Sequence, residues 1–155
     1  MQQYVIGLGE VLWDVLPTGK QIGGAPANIH STHLTARNNT SAISDVATIS
    51  KLLSSDALAA ETRSVFAERH LEAIMPSLPQ PTGTVIAEID ESGVAHYTFP
   101  DNVAWDNIPF TPEMEAIAHQ TRAVCWGSLA QRSEVSRQSI LRFVDTVPNG
   151  PGQYK

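Results

Sequence analysis

This chain has little cysteine, few basic residues and no long apolar run. Cys125 is its only cysteine. A lone thiol excludes an intrachain disulfide framework, and a reducing, cytoplasmic setting is the expectation. Lys and Arg number 10 against 16 Asp and Glu, for a formal charge of -6. With no basic run, nucleic acid and anionic membranes are not expected partners. No apolar stretch approaches the length of a bilayer span, and no signal peptide is visible. Several nucleotide-enzyme motifs are missing as well. There is no Gly-x-x-x-x-Gly-Lys-Ser/Thr loop. Gly7-x-Gly9 lacks the third glycine of a dinucleotide fingerprint, and Glu10 would face a pyrophosphate. Ser128, in Gly127-Ser128-Leu129-Ala130, lacks the second glycine of a nucleophile elbow.

What is present starts with Gly23-Gly24-Ala25-Pro26-Ala27-Asn28. Two adjacent glycines let a backbone approach a ligand closely, because no Cβ intervenes. Pro26 suits the first turn of a helix. Asn28 then offers an amide that both donates and accepts. The run reads as a polyol-binding corner, and equally as a tight turn before a helix. Asp14, just beyond the first strand, could accept hydrogen bonds from two neighbouring sugar hydroxyls. By residue type alone it reads as a solvated turn acid. Ligands of open α/β sheets gather at that end of the strands.

The 155 residues suffice for one domain with a real core. Tyr4–Gly9 reads as a buried strand that could continue through Glu10–Leu16, with a turn at 17–20 and a return at Gln21-Ile22. A helix is predicted over 26–37 and a second strand over 41–46. Another helix, over 57–71, is capped by Ser55-Asp56, with Leu58, Val65, Phe66 and Ile74 near helical spacing. Strands at 84–90 and 94–99 flank the turn Glu91-Ser92-Gly93, the clearest hairpin in the chain. There Val85, Ala87 and Ile89 alternate with Glu88 and Asp90, which predicts one wet face. Thr111-Pro112-Glu113 opens a helix, 123–126 is a short strand, and Ser133 opens a helix to about Asp145. Cys125 reads as an inert core thiol. Tyr97, Phe99 and Trp105 could cover a sugar ring, or simply pack the hairpin onto the body. His30 and His33 stand three apart on a predicted helix, a spacing open to metal, but packing or surface exposure is the better reading. No metal site is assigned. The expected fold is α/β with a mainly parallel sheet and hairpins in a separate layer.

Five runs together resemble the ribokinase-like (pfkB) family of sugar kinases, most of all its fructokinase branch. They are Val5–Asp14, Gly23–Asn28, Pro81–Val85, Asn102–Ile108 and Trp126–Arg132. The resemblance implies a Rossmann-like α/β/α body with a small β-sheet lid, formed by segments about 10–24 and 84–100. It implies transfer of the ATP γ-phosphate to a sugar hydroxyl with Mg2+, fructose as the sugar, and homodimerisation through the lid. Asp14, Gly23, Gly24 and Asn28 match positions that hold the sugar, and Phe99 becomes a ring contact. Lid closure in such kinases shields the phosphate from water.

The sequence departs from the family in two places. Residues 30–60 fit poorly: His30 stands where a small residue is expected, and Val46-Ala47-Thr48-Ile49 stands in place of a glycine-bearing loop. The Gly-Ala-Gly-Asp motif is absent, and with it the general base and the phosphate cradle. The turn-rich segment 147–155 follows a helix where a strand is due. The expectation is therefore the sugar-binding half of a fructokinase-type enzyme, with no catalytic residue in this chain and no activity alone. A non-catalytic sugar-binding or subunit-assembly module, or a truncated, degraded copy, are the alternatives.

Overall fold

A computed structural model describes residues 4–26, 28, 45–49, 56–69, 72–74 and 78–148. Its elements are β1 (Tyr4–Leu8), β2 (Leu12–Leu16), β3 (Gly19–Gly23), β4 (Asp45–Ile49), α1 (Ala57–Glu68), β5 (Glu72–Ile74), β6 (Thr84–Ile89), β7 (Ala95–Thr98), α2 (Pro112–Ala118), β8 (Thr121–Trp126) and α3 (Glu134–Thr146). Short 3-10 turns cover Ala104–Asn107 and Leu129–Arg132.

The strands form two sheets of four, in the orders β5-β4-β1-β8 and β3-β2-β6-β7. In the first, every pairing is parallel. β1 lies inside it, which explains an unbroken apolar run rather than an alternating one. Ile6 pairs in register with Val124, and Leu8 with Trp126. These side chains meet Met114 and Ile117 of α2 and Ile140, Phe143 and Val144 of α3 in one core. The second sheet is mixed: β2 runs antiparallel to β3 and parallel to β6, and β6 runs antiparallel to β7. It stands apart from the first sheet as the expected separate layer. α1 anchors it, because the buried Trp13 donates its indole N–H to Thr62 Oγ1 at 2.9 Å.

Several boundaries differ from the sequence reading. Glu10 does not prolong β1. The chain turns at Gly9, with φ +137°, and re-enters in the other sheet. β4 spans Asp45–Ile49, three residues past the expected end at 46, and its β-branched Val46, Thr48 and Ile49 suit a strand; residues 41–44 lie outside the described residues. α1 stops at Glu68, and Ile74 belongs to β5, a three-residue strand with no alternation to reveal it. Ile89 is 63% exposed, so the dry face of β6 holds only Val85 and Ala87. Cys125 is exposed, not a core thiol. It alternates with the buried Val124, and among the described residues β8 pairs with β1 alone. His30, His33 and most of the predicted 26–37 helix lie outside the described residues; Ala25, Pro26 and Asn28 are helical.

Candidate functional site

Three backbone turns meet where β1 ends. The first runs through Gly9–Val11 into β2. The second leaves β3 at Gly23-Gly24 and starts a helix, with Asn28 N–H donating to the Gly24 carbonyl at 3.1 Å. The third leaves β8 at Gly127, whose N–H donates to the Leu8 carbonyl at 3.0 Å.

Asp14 and Gly23 form a matched pair. Leu12 faces Gly23 across β2 and β3, and Asp14 faces Gln21, so Asp14 is the diagonal neighbour of Gly23 on the same face. A Cβ on Gly23 would lie 2.3 Å from Asp14 Oδ2. The carboxylate therefore rests against the glycine backbone. Asp14 is half-buried, and among the described residues its carboxylate has no hydrogen-bond or ion-pair partner. Burial raises its pKa above the ordinary aspartate value. A desolvated acceptor without a partner suits a ligand that brings hydroxyls.

Gly24 has a different reason to be glycine. Its φ is +103°, and a Cβ there would strike the Glu10 carbonyl oxygen at 2.3 Å. This contact locks the corner to the turn after β1. The structure thus brings Asp14, Gly23, Gly24 and the Asn28 backbone together. Phe99 stands farther off. It follows β7, which β6 separates from β2. Two strand spacings put it about 10 Å away across the sheet. At 40% exposure it flanks the corner, beside the more exposed Tyr97. Trp105 covers no ligand: it is fully buried, its ring packed where a Gly83 Cβ would sit.

Two contacts escaped the sequence reading, although Asp101-Asn102 and Trp105-Asp106-Asn107 are among its candidate residues. Glu10 is 4% exposed, and its Oε2 accepts the Ala130 N–H at 3.2 Å. Arg132 forks onto Asp106, with Nε to Oδ1 and Nη2 to Oδ2 both at 2.8 Å. That hydrogen bond raises the Arg132 pKa further. Beside this pair lies an open cleft of about 470 Å³, lined by Asp101, Asn102, Asp106, Asn107, Arg132 and Ser133. Neither role had a local signal, since each depends on a residue more than twenty positions away. Among the described residues, no three His, Cys, Asp or Glu side chains converge as metal ligands, so none is assigned to Mg2+. Nor is any described helix long and apolar enough to cross a membrane.

The fold has many solved counterparts. An uncharacterised sugar kinase of Pyrococcus horikoshii matches with a TM-score of 0.75 and 19% identity, over 92% of this chain and 51% of its own. A fructokinase of Xylella fastidiosa with bound ATP matches with a TM-score of 0.76 and 18% identity, over 95% of this chain and 46% of its own. An adenosine kinase of Schistosoma mansoni in complex with adenosine matches with a TM-score of 0.72 and 11% identity, over 94% and 52%. The chain spans about half the length of the solved structures it matches. No family model and no curated protein matches the sequence. At these identities the likeness shows the fold: ribokinase-like α/β with a small mixed sheet beside a parallel one, as in pfkB sugar kinases.

Proposed function

We propose that this chain is the sugar-binding half of a carbohydrate kinase of fructokinase type, whose whole reaction moves the ATP γ-phosphate to fructose or a related sugar. The observation that carries this reading is the half-buried Asp14 carboxylate, laid against Gly23 and without a partner among the described residues. Its two oxygens can accept hydrogen bonds from adjacent hydroxyls. Gly23 leaves room for that carboxylate, Gly24 lets the corner pack against the turn after β1, and the Asn28 amide and the Phe99 ring flank the sugar. Neutral sugars need such acceptors more than they need charge. ATP is the phosphoryl donor, with Mg2+ as its companion. This chain supplies neither a Gly-Ala-Gly-Asp anion cradle nor its general base, so it binds sugar without phosphorylating it. The exposed Ile89 and Tyr97 lie on one face of the lid hairpin and offer apolar surface for homodimerisation.

Titration calorimetry on residues 1–155, with fructose and ATP in separate runs, tests the proposal. The expected result is heat with fructose, none with ATP, and no ADP release when both are present. Absence of fructose binding, or phosphoryl transfer by this chain alone, overturns it.

A further inference from the structure

Four stretches of chain join the lid sheet to the body, at 9–11, 23–24, 81–83 and 99–103, and two of them share one support. One is the turn at Gly9–Val11, locked to Gly24 through the Glu10 carbonyl. The other is the exit from β7, through Phe99 to Val103. A single short segment, Gly127–Arg132, holds both.

At its near end, Glu10 Oε2 accepts the Ala130 N–H, and the same carboxylate lies where a Gly127 Cβ would be, 2.0 Å away. At its far end, the Arg132 guanidinium meets three parts of the lid exit. It forks onto Asp106, whose Oδ2 also accepts the Val103 N–H at 3.2 Å. Nη2 donates to the Pro100 carbonyl. The guanidinium lies 5.3 Å from the centroid of the buried Trp105 ring, which packs on Gly83 at the entrance to β6. The Arg132 side chain is only 28% exposed, and Asp106 only 8%. A rigid fork with several donors can satisfy this set; a lysine ammonium cannot reproduce it.

We infer that Arg132 is a positioning residue for sugar binding, which fixes the exit of the lid relative to the Asp14–Gly24 corner through Asp106 and Pro100. This inference rests on reading that corner as the sugar site. Arg132 touches no corner residue, so its effect on a ligand passes through the lid.

Amide hydrogen exchange and fructose calorimetry on the full chain test it, using Arg132→Gln, Arg132→Lys and an Arg137→Gln control. Arg137 is exposed and, among the described residues, its side chain pairs only with Glu134, at 3.8 Å. Arg132→Gln should speed exchange at least tenfold in β6 and β7, leave β1 unchanged, and weaken fructose binding about tenfold. Arg132→Lys should fail to rescue either readout, and Arg137→Gln should change neither. Equal acceleration in β1 and the lid, or an unchanged lid, overturns the inference. So does wild-type affinity in Arg132→Gln, or full rescue by lysine. If Arg132→Gln does not fold, Arg132→Lys carries the same comparison. If the wild-type chain binds no fructose, the functional reading fails, and the exchange pattern alone decides whether Arg132 holds the lid.

Discussion

Replacing Gly23 with alanine should break the ligand corner and spare the fold. The new Cβ would sit 2.3 Å from Asp14 Oδ2 and 3.2 Å from Leu12 Cδ1. Gly23 is an extended residue of β3 without a positive φ, so the alanine backbone is unstrained. The clash falls on the free end of a side chain, which can swing away. Driving Asp14 off its rotamer costs about 0.5–1.5 kcal/mol. The lost freedom of the unfolded glycine returns about 0.4–1 kcal/mol. The net change is within about 1 kcal/mol, or about 4 °C in Tm at most for a domain of this size. A displaced carboxylate, however, forfeits charge-assisted hydrogen bonds worth about 1.5–3 kcal/mol, or about 10- to 150-fold in affinity. Gly24→Ala should behave in the opposite way. Its φ of +103° and its 2.3 Å approach to the Glu10 carbonyl are backbone constraints that no rotamer relieves, so it should lose about 1–3 kcal/mol of stability or more. Thermal melts and fructose calorimetry on both variants, with Asp14→Ala and the Asp14→Ala/Gly23→Ala double variant, complete the test. In the Asp14→Ala background, Gly23→Ala should cost no further affinity. Wild-type binding by Gly23→Ala, or a loss of stability equal to that of Gly24→Ala, would refute the argument.

Two further outcomes are expected. Asp56 caps α1 by accepting the Ala59 N–H at 2.8 Å, and it also accepts the Thr82 N–H and hydroxyl, both at 2.8 Å; Asp56→Ala should therefore cost about 2–4 kcal/mol, read by urea unfolding. Asp14 has a raised pKa from burial, so ionising it destabilises the free protein, and stability should fall as pH rises from the unfolded aspartate value through the folded one. Asp14→Asn should flatten that slope and leave Tm equal or higher at neutral pH. If the proposed site holds fructose on the ionised Asp14, affinity should weaken on acidification at a higher pH than an ordinary aspartate would give.

Residues 4–8, 84–89 and 112–118 were legible because period, turn chemistry and capping agree there. Thr111 caps as expected, accepting the Met114 N–H at 3.2 Å. Cys125 misled because an apolar run does not say which neighbours a strand will have. The proposed corner was readable in outline where local chemistry is special, in the glycine pair and an acid at a strand end. It was illegible where the meaning lies in a distant partner. Nothing local marks Arg132 as the anchor of Asp106, or Glu10 as the cap of Ala130.

The two glycine–carboxylate contacts also show why exposure must decide the role of each acid. Gly23 meets Asp14 as Gly127 meets Glu10: in each case a missing Cβ makes room for a carboxylate within 2.3 Å of where that atom would be. The geometry is alike and the setting is not. Glu10 is 4% exposed and already accepts a backbone N–H, so a ligand hydroxyl could reach it only by displacing that bond and opening the turn. Asp14 is half-buried and has no partner among the described residues, so a hydroxyl arriving there displaces only water. On the proposed reading a sugar hydroxyl therefore goes to Asp14, while Glu10 is held by the Ala130 N–H at the turn against which Gly24 packs. A corner with only the first pair would be soft, and one with only the second would have nothing to offer a sugar.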